Sequence, residues 1–216
     1  MRAVVFINGS RESNWDWQAQ LKPDDLLVAA DAGATWLLQI GKIPHWIVGD
    51  FDSMPLWAYS PEVLQKTRLV KHPTDKDATD LELALMLAKE QGATQILLLG
   101  LLGGRWDHSL ANVMLLANPA FSDLEMMALQ PGQALRIIHP HQPQQFSGRA
   151  GDMLSLVPFA GDVTGVCLSG TRWQLDHETL PMGSSRGVSN EIVEGLVSIS
   201  ITAGVLLCIH IWKNDL

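Results

Sequence analysis

The chain of 216 residues carries 15 Lys+Arg against 23 Asp+Glu, a net charge of −8, with 47% hydrophobic and 18% charged residues. That balance is globular rather than disordered, and at roughly 150 residues per domain it makes one large unit or two small ones. The acidity argues against nucleic acid as a partner, because neutralising phosphates takes a basic face. A small anion stays compatible, since a bound cation reverses the local sign.

The first predicted strand covers residues 3–7 and turns at Asn8-Gly9, too short an apolar run for a signal peptide. Further strands are predicted at 26–30, 46–48, 68–71, 95–99 and 124–129, several of them apolar without a break, as in sheets covered on both faces. Helices are predicted between them at 32–40, 61–66, 79–91 and 106–117, closed by Gly41, Gly92 and Pro119. This alternation predicts an α/β domain over residues 1–130, an open, mainly parallel sheet with helices on both faces. Ligands of such sheets sit at the carboxyl ends of the strands.

After Pro131-Gly132 the pattern changes to short strands at 134–138, 153–158, 163–168, 196–202 and 205–212, without a helix. That predicts a C-terminal all-β sandwich or barrel over residues 131–216, with 139–145 as an irregular connection. Cys167 and Cys208 are too few for a disulfide framework or a cysteine-rich zinc site, and their apolar neighbours predict two small core residues. His45, His72, His139, His141, His177 and His210 show no metal-ligand spacing on a predicted element. The longest apolar run, 95–102, is far short of the ~18 residues of a membrane span. A soluble, cytoplasmic protein without a membrane partner is expected.

The aspartates carry the functional signal. Asp31 follows the second strand, Asp50 and Asp52 the third, Asp75, Asp77 and Asp80 the fourth, and Asp107 the fifth. In a parallel sheet those exits share one edge. Converging carboxylates repel unless a cation holds them, and Mg²⁺, a hard ion that takes one or two carboxylates plus substrate phosphates, is the natural partner. Asp50 and Asp52, two apart, point to one side of an extended segment, with Phe51 turned into the core. Each aspartate alone also fits a turn or a helix start, and Thr79-Asp80-Leu81-Glu82 fits a capping box. Gly103-Gly104 ahead of a helix start suits phosphate, with Arg105, Lys76 and Lys71 as cations near the same edge. In the β domain, Ser189 and Asn190 suit a polar heterocycle and Trp173 could stack on it; a turn and a core aromatic are the competing reading.

Together, Ala30-Asp31-Ala32-Gly33-Ala34, Gly49-Asp50-Phe51-Asp52-Ser53, the run from Asp75 to Ala84, Gly103-Gly104-Arg105-Trp106-Asp107-His108, Gly170-Thr171-Arg172-Trp173 and Arg186-Gly187-Val188-Ser189-Asn190-Glu191 resemble the thiamine pyrophosphokinase family, in the family's order. The resemblance implies transfer of a diphosphate from ATP to the thiamine hydroxyl, giving thiamine diphosphate and AMP with Mg²⁺. It also implies a homodimer with each active site between the α/β domain of one chain and the β domain of the other. Asp50, Asp52 and Asp80 are implied as the Mg²⁺–triphosphate acids; apart from the resemblance, the chemistry of the transfer leads us to expect that one of them, Asp80 or Asp52, accepts the hydroxyl proton. Lys76 and Arg105 are implied to meet phosphates. Asp31, Thr79, Gly104, Asp107 and His108 would support the nucleotide, and Trp173, Ser189 and Asn190 would meet thiamine. Ala32 departs from the family's usual glycine. A pyrophosphokinase for another alcohol, such as a hydroxymethylpterin, and a catalytically silent thiamine- or nucleotide-binding protein are the competing functions.

Overall fold

Parallel strands cannot be joined by tight turns, so each neighbouring pair in a run of them needs a crossover connection. The computed structural model, which describes residues 1–11, 15–73, 75 and 77–213, divides into two units, Met1–Leu115 with Asp123–Gln130, and Leu116–Ser122 with Pro131–Leu216. In the first, β1 (Arg2–Phe6), β2 (Leu26–Ala30), β3 (Trp46–Gly49), β4 (Arg68–Lys71), β5 (Gln95–Leu99) and β6 (Glu125–Gln130) lie in the order β4-β3-β2-β1-β5-β6. All five neighbouring pairs are parallel. The chain steps outward from β1 to β4, then returns to the far side of β1, which makes the β1/β5 boundary a topological switch point.

Among the described residues, the crossovers hold α1 (Thr35–Leu38), α2 (Pro61–Lys66), α3 (Asp80–Glu90) and α4 (Trp106–Leu115). The right-handed crossover rule would put α1 and α2 on the face opposite α3 and α4. On α3, Leu81, Ala84, Leu85 and Ala88 form the buried stripe, packed on β1, β2 and β3. Thr79 caps this helix, its Oγ1 accepting from the Glu82 N–H at 3.2 Å, as the box pattern predicts. The helix expected at 32–40 is shorter than its periodicity suggests. Residues Asp31–Ala34 wind as a tighter 3-10 turn first, with Gly33 pressed against β1: a Cβ there would lie 2.2 Å from the Phe6 carbonyl oxygen. Phe6, Trp17 and Trp36 lock the same corner edge to face, with ring centroids 5.5–5.7 Å apart for Trp17 against each of the others.

The second unit is antiparallel. Its strands are β7 (Gln133–Ile138), β8 (Gln144–Ser147), β9 (Met153–Ser169), β10 (Leu175–Leu180), β11 (Asn190–Glu191), β12 (Leu196–Ser200) and β13 (Ala203–Ile211). They run in the order β7-β13-β9-β12-β8, with β10 and β11 also on β9. The two strands expected at 153–158 and 163–168 are one. Pro158 and Gly161 read as a stop, but Ala160 at φ +62° and Gly161 instead bend the strand. Its first half pairs with β13 and its second with β10 and β12, the corner device of a sandwich. Strands β8, β10 and β11 were not predicted; Gln144 and Gln145 place strand where an irregular connection was expected, because an edge strand needs no apolar alternation. The core holds Leu154, Leu156, Val166, Leu168, Ile192, Val197, Leu206 and Cys208 among others. Burial pushes the Cys208 thiol up to about 12. Cys167 departs from its expected core place: it is half-buried, between the inward Val166 and Leu168. Among the described residues, no helix is long and apolar enough to cross a membrane.

Candidate active site

The carboxyl edge of the parallel sheet gathers the acids. Carboxylate oxygens of Asp31, Asp50 and Asp52 lie within 4.8 Å of one another. Asp31 starts the turn after β2 at φ +45°, a conformation costly for a residue with a Cβ. It is 8% exposed, and among the described residues its Oδ1 is buried without a hydrogen-bond partner. Burial raises the carboxyl pKa; the Ala32 N–H and the Ser53 hydroxyl pull it down, Asp80 and Asp50 push it up again, and the net shift is upward. An acid held in this way is short of positive charge. Asp80, at the start of α3, completes the group across Gly49: a Cβ on Gly49 would sit 3.0 Å from Asp31 Cβ and 3.2 Å from Asp80 Oδ1. Glycine is therefore required there by space as well as by the turn.

Asp50 and Asp52 meet by a different route from the one their spacing suggests. Phe51 is left-handed at φ +69°, so the segment is a turn rather than extended chain. Asp50 Oδ1 accepts from the Asp52 N–H at 3.1 Å, a side-chain-to-backbone turn. Phe51 is half-buried rather than in the core, and its carbonyl accepts from the Tyr59 hydroxyl at 3.0 Å, which pins the loop. The Ser53 hydroxyl donates to Asp52 Oδ1 at 2.8 Å.

The exit of β5 is more open. Arg105 and Asp107 are exposed and paired at 2.5 Å, and this guanidinium holds the Asp107 carboxyl down to about 2. Gly103 donates its N–H to Ser109 Oγ at 3.0 Å, so that donor is engaged by helix α4. Gly104 and His108 are exposed. Thr79 Oγ1 accepts the capping bond, and Lys71 is exposed at the end of β4. Lys76 lies outside the described residues.

In the second unit, a cavity of about 630 Å³ brings Trp173, Ser189 and Asn190 together, floored by Leu156 and Leu168. Trp173 is an exposed aromatic rather than a core one, with the Arg172 guanidinium 5.3 Å from its ring centroid. Asn190 is buried, and its amide is saturated. Nδ2 donates to the Trp173 carbonyl at 2.6 Å and Thr171 Oγ1 at 3.3 Å, while Oδ1 accepts from the Trp173 and Glu191 N–H groups at 3.1 and 2.9 Å. With four of four bonds made inside the protein, Asn190 shapes the cavity wall. Ser189 is left-handed at φ +61°, and its N–H donates to Ser155 Oγ at 3.0 Å. Arg186, which sequence reasoning passed over, also lines the cavity and pairs with Glu178. Only its place in the same loop as Ser189 pointed to it.

Comparisons with known proteins bear on both units. The family model "Thiamin pyrophosphokinase, catalytic domain" matches residues 17–128, and "Thiamin pyrophosphokinase, vitamin B1 binding domain" matches 136–206. A thiamine pyrophosphokinase of Bacillus subtilis is 28% identical over 185 residues, 86% of each chain. Thiamine pyrophosphokinase 2 of Arabidopsis thaliana is 26% identical over 182 residues, 80% of this chain and 67% of that one. A solved thiamin pyrophosphokinase from Geobacillus thermodenitrificans superposes with a TM-score of 0.86 at 27% identity, over the whole of both chains. Acids meeting at one sheet edge and a half-apolar cavity in a β-sandwich thus fall within the two matched domains, and the chain belongs to the thiamin pyrophosphokinase family.

Proposed function

We propose that this family member is a thiamine diphosphokinase that moves the terminal diphosphate of ATP to the hydroxyl of thiamine, releasing AMP. The observation that carries the reading is the carboxylate group of Asp31, Asp50 and Asp52, whose oxygens lie within 4.8 Å while Asp31 Oδ1 is buried and, among the described residues, unpartnered. An all-oxygen, all-anionic donor set with an orphaned buried oxygen suits a hard divalent cation. Asp31, Asp50 and Asp52 would hold Mg²⁺, with Asp80 beside them. When bound, Mg²⁺ neutralises phosphate charge and makes the β-phosphorus more electrophilic. Asp31 enters this set more centrally than the resemblance alone implies.

The chain's own groups do the rest by position. The thiamine hydroxyl oxygen bonds to the β-phosphorus, the bond from that phosphorus to the α,β-bridging oxygen breaks, and AMP leaves with the bridging oxygen. Asp52 or Asp80 takes the hydroxyl proton. Little covalent work falls to the protein in such a transfer, so alignment and charge carry the rate. Arg105, Lys76, Gly104, Thr79, Asp107 and His108 are assigned to the nucleotide. Trp173 and Ser189 face the thiamine heterocycles, held by Asn190, and the cationic thiazolium is drawn to an acidic protein. The proposal includes a homodimer, with acids from one chain and the thiamine cavity from its partner, and a cytoplasmic location without nucleic-acid or membrane partners.

The test is AMP formation from Mg-ATP in the presence of thiamine or of a hydroxymethylpterin. AMP with thiamine alone is the expected result. AMP with the pterin alone moves the reading to another pyrophosphokinase, and none with either leaves a silent binding protein.

A further inference from the structure

A second set of metal-ligating side chains lies on the outer face of the sandwich. Strand β10 pairs with β9 through Leu175 opposite Leu168 and Glu178 opposite Val166, with a register shift between them. Two residues of β10, Asp176 and His177, therefore stand against the single residue Cys167. That is the arithmetic of a β-bulge, which re-aims side chains and recurs beside functional sites. Val166 and Leu168 point into the core, so Cys167, between them, faces outward. One ligand atom from each of Cys167, Asp176 and His177 lies within 4.8 Å of the others. His177 is held at φ +50°, an uncommon conformation for a non-glycine residue that the bulge imposes.

The donor chemistry differs from that of the aspartate edge. A sulfur, an imidazole nitrogen and one carboxylate disfavour Mg²⁺ and Ca²⁺, which take oxygen, and favour a borderline-soft ion. Three protein ligands leave a fourth tetrahedral position for water. We propose that Cys167, Asp176 and His177 form a binding site for Zn²⁺ or a similar divalent transition metal, fastening β10 to β9. Binding expels the Cys167 thiol proton to solvent. The residues joining the two strands include Trp173, so the ion stiffens the segment that carries this side of the cavity. The proposal stands independently of the reaction assigned above.

Cobalt provides the test, because a thiolate–Co²⁺ bond gives a charge-transfer absorption that oxygen ligands do not. Reduced, metal-stripped full-length protein is titrated with Co²⁺ in excess Mg²⁺. The expected result is one Co²⁺ per chain with the thiolate band, displaced by Zn²⁺. Cys208 cannot supply that band, being fully buried with its thiol pushed up to about 12. Cys167→Ser should abolish the band, and His177→Ala should weaken binding roughly tenfold or more, since even the loss of a ligand's supporting partner costs about that much. Thermal melting of each variant checks the fold. Absence of the band in the wild type, its persistence in Cys167→Ser, or unchanged affinity in His177→Ala overturns the proposal.

Discussion

Asn190 shows how a residue can belong to a site without being free to touch a ligand. Its buried amide spends both donors and both acceptor positions on Thr171, Trp173 and Glu191. Replacement by alanine leaves the Trp173 N–H and carbonyl without those partners, at a cost of about 1–3 kcal/mol. We expect Asn190→Ala to lower the melting temperature and raise KM for thiamine with little change in KM for ATP. An unchanged melting temperature with a raised thiamine KM would instead make Asn190 a direct ligand. Sequence could point to Asn190, because a polar residue in a glycine-punctuated loop is conspicuous, but it could not separate shaping from contact. The burial of Asp31 and its oxygen without a partner among the described residues are properties of packing, invisible in a short motif. Cys167 was misjudged because apolar neighbours in a strand say nothing about which way the residue between them points.

Among elements, those with strong local signals were legible. Strands β2, β4 and β5 and helix α2 begin and end where apolar runs, caps and glycines place them. Strand β9 was not, since a bend at Ala160 and Gly161 looks the same as a stop until β13 and β12 are seen to pair on either side. That same strand opens beside a buried polar contact. His210 Nε2 and Asp152 Oδ2 are 2.8 Å apart, each side chain 2% exposed, with His210 between the rings of Phe146 and Trp212. Burial pushes the Asp152 carboxyl up, but the N–H groups of Lys213 and Arg149 and the His210 ring outweigh it and hold it below its ordinary 3.8. A depressed carboxyl stabilises the fold above the unfolded value and loses that contribution as pH falls through the folded one. We expect Asp152→Asn to destabilise the protein by about 1–3 kcal/mol at neutral pH, with the gap to wild type narrowing as pH falls below the ordinary 3.8. Melting temperatures of both proteins at pH 7 and near pH 3 check this; a gap of constant size contradicts it.

For the whole molecule, the α/β sheet followed by a β-rich half was legible from the change in pattern near Pro131. The strand order was not, because sequence cannot say on which side of β1 the chain returns. The outward steps from β1 to β4, rather than the return, set the carboxyl edge where Asp31, Asp50, Asp52 and Asp80 leave three successive strands. The assignment of function rests on those acids gripping one divalent ion and, through it, the phosphates of ATP. The most direct test is kcat of Asp52→Asn at saturating Mg-ATP and thiamine, in a protein whose melting temperature matches the wild type. A loss of about 10² or more is predicted, the scale of removing one group that stabilises transition-state charge. Turnover near the wild-type rate would contradict it.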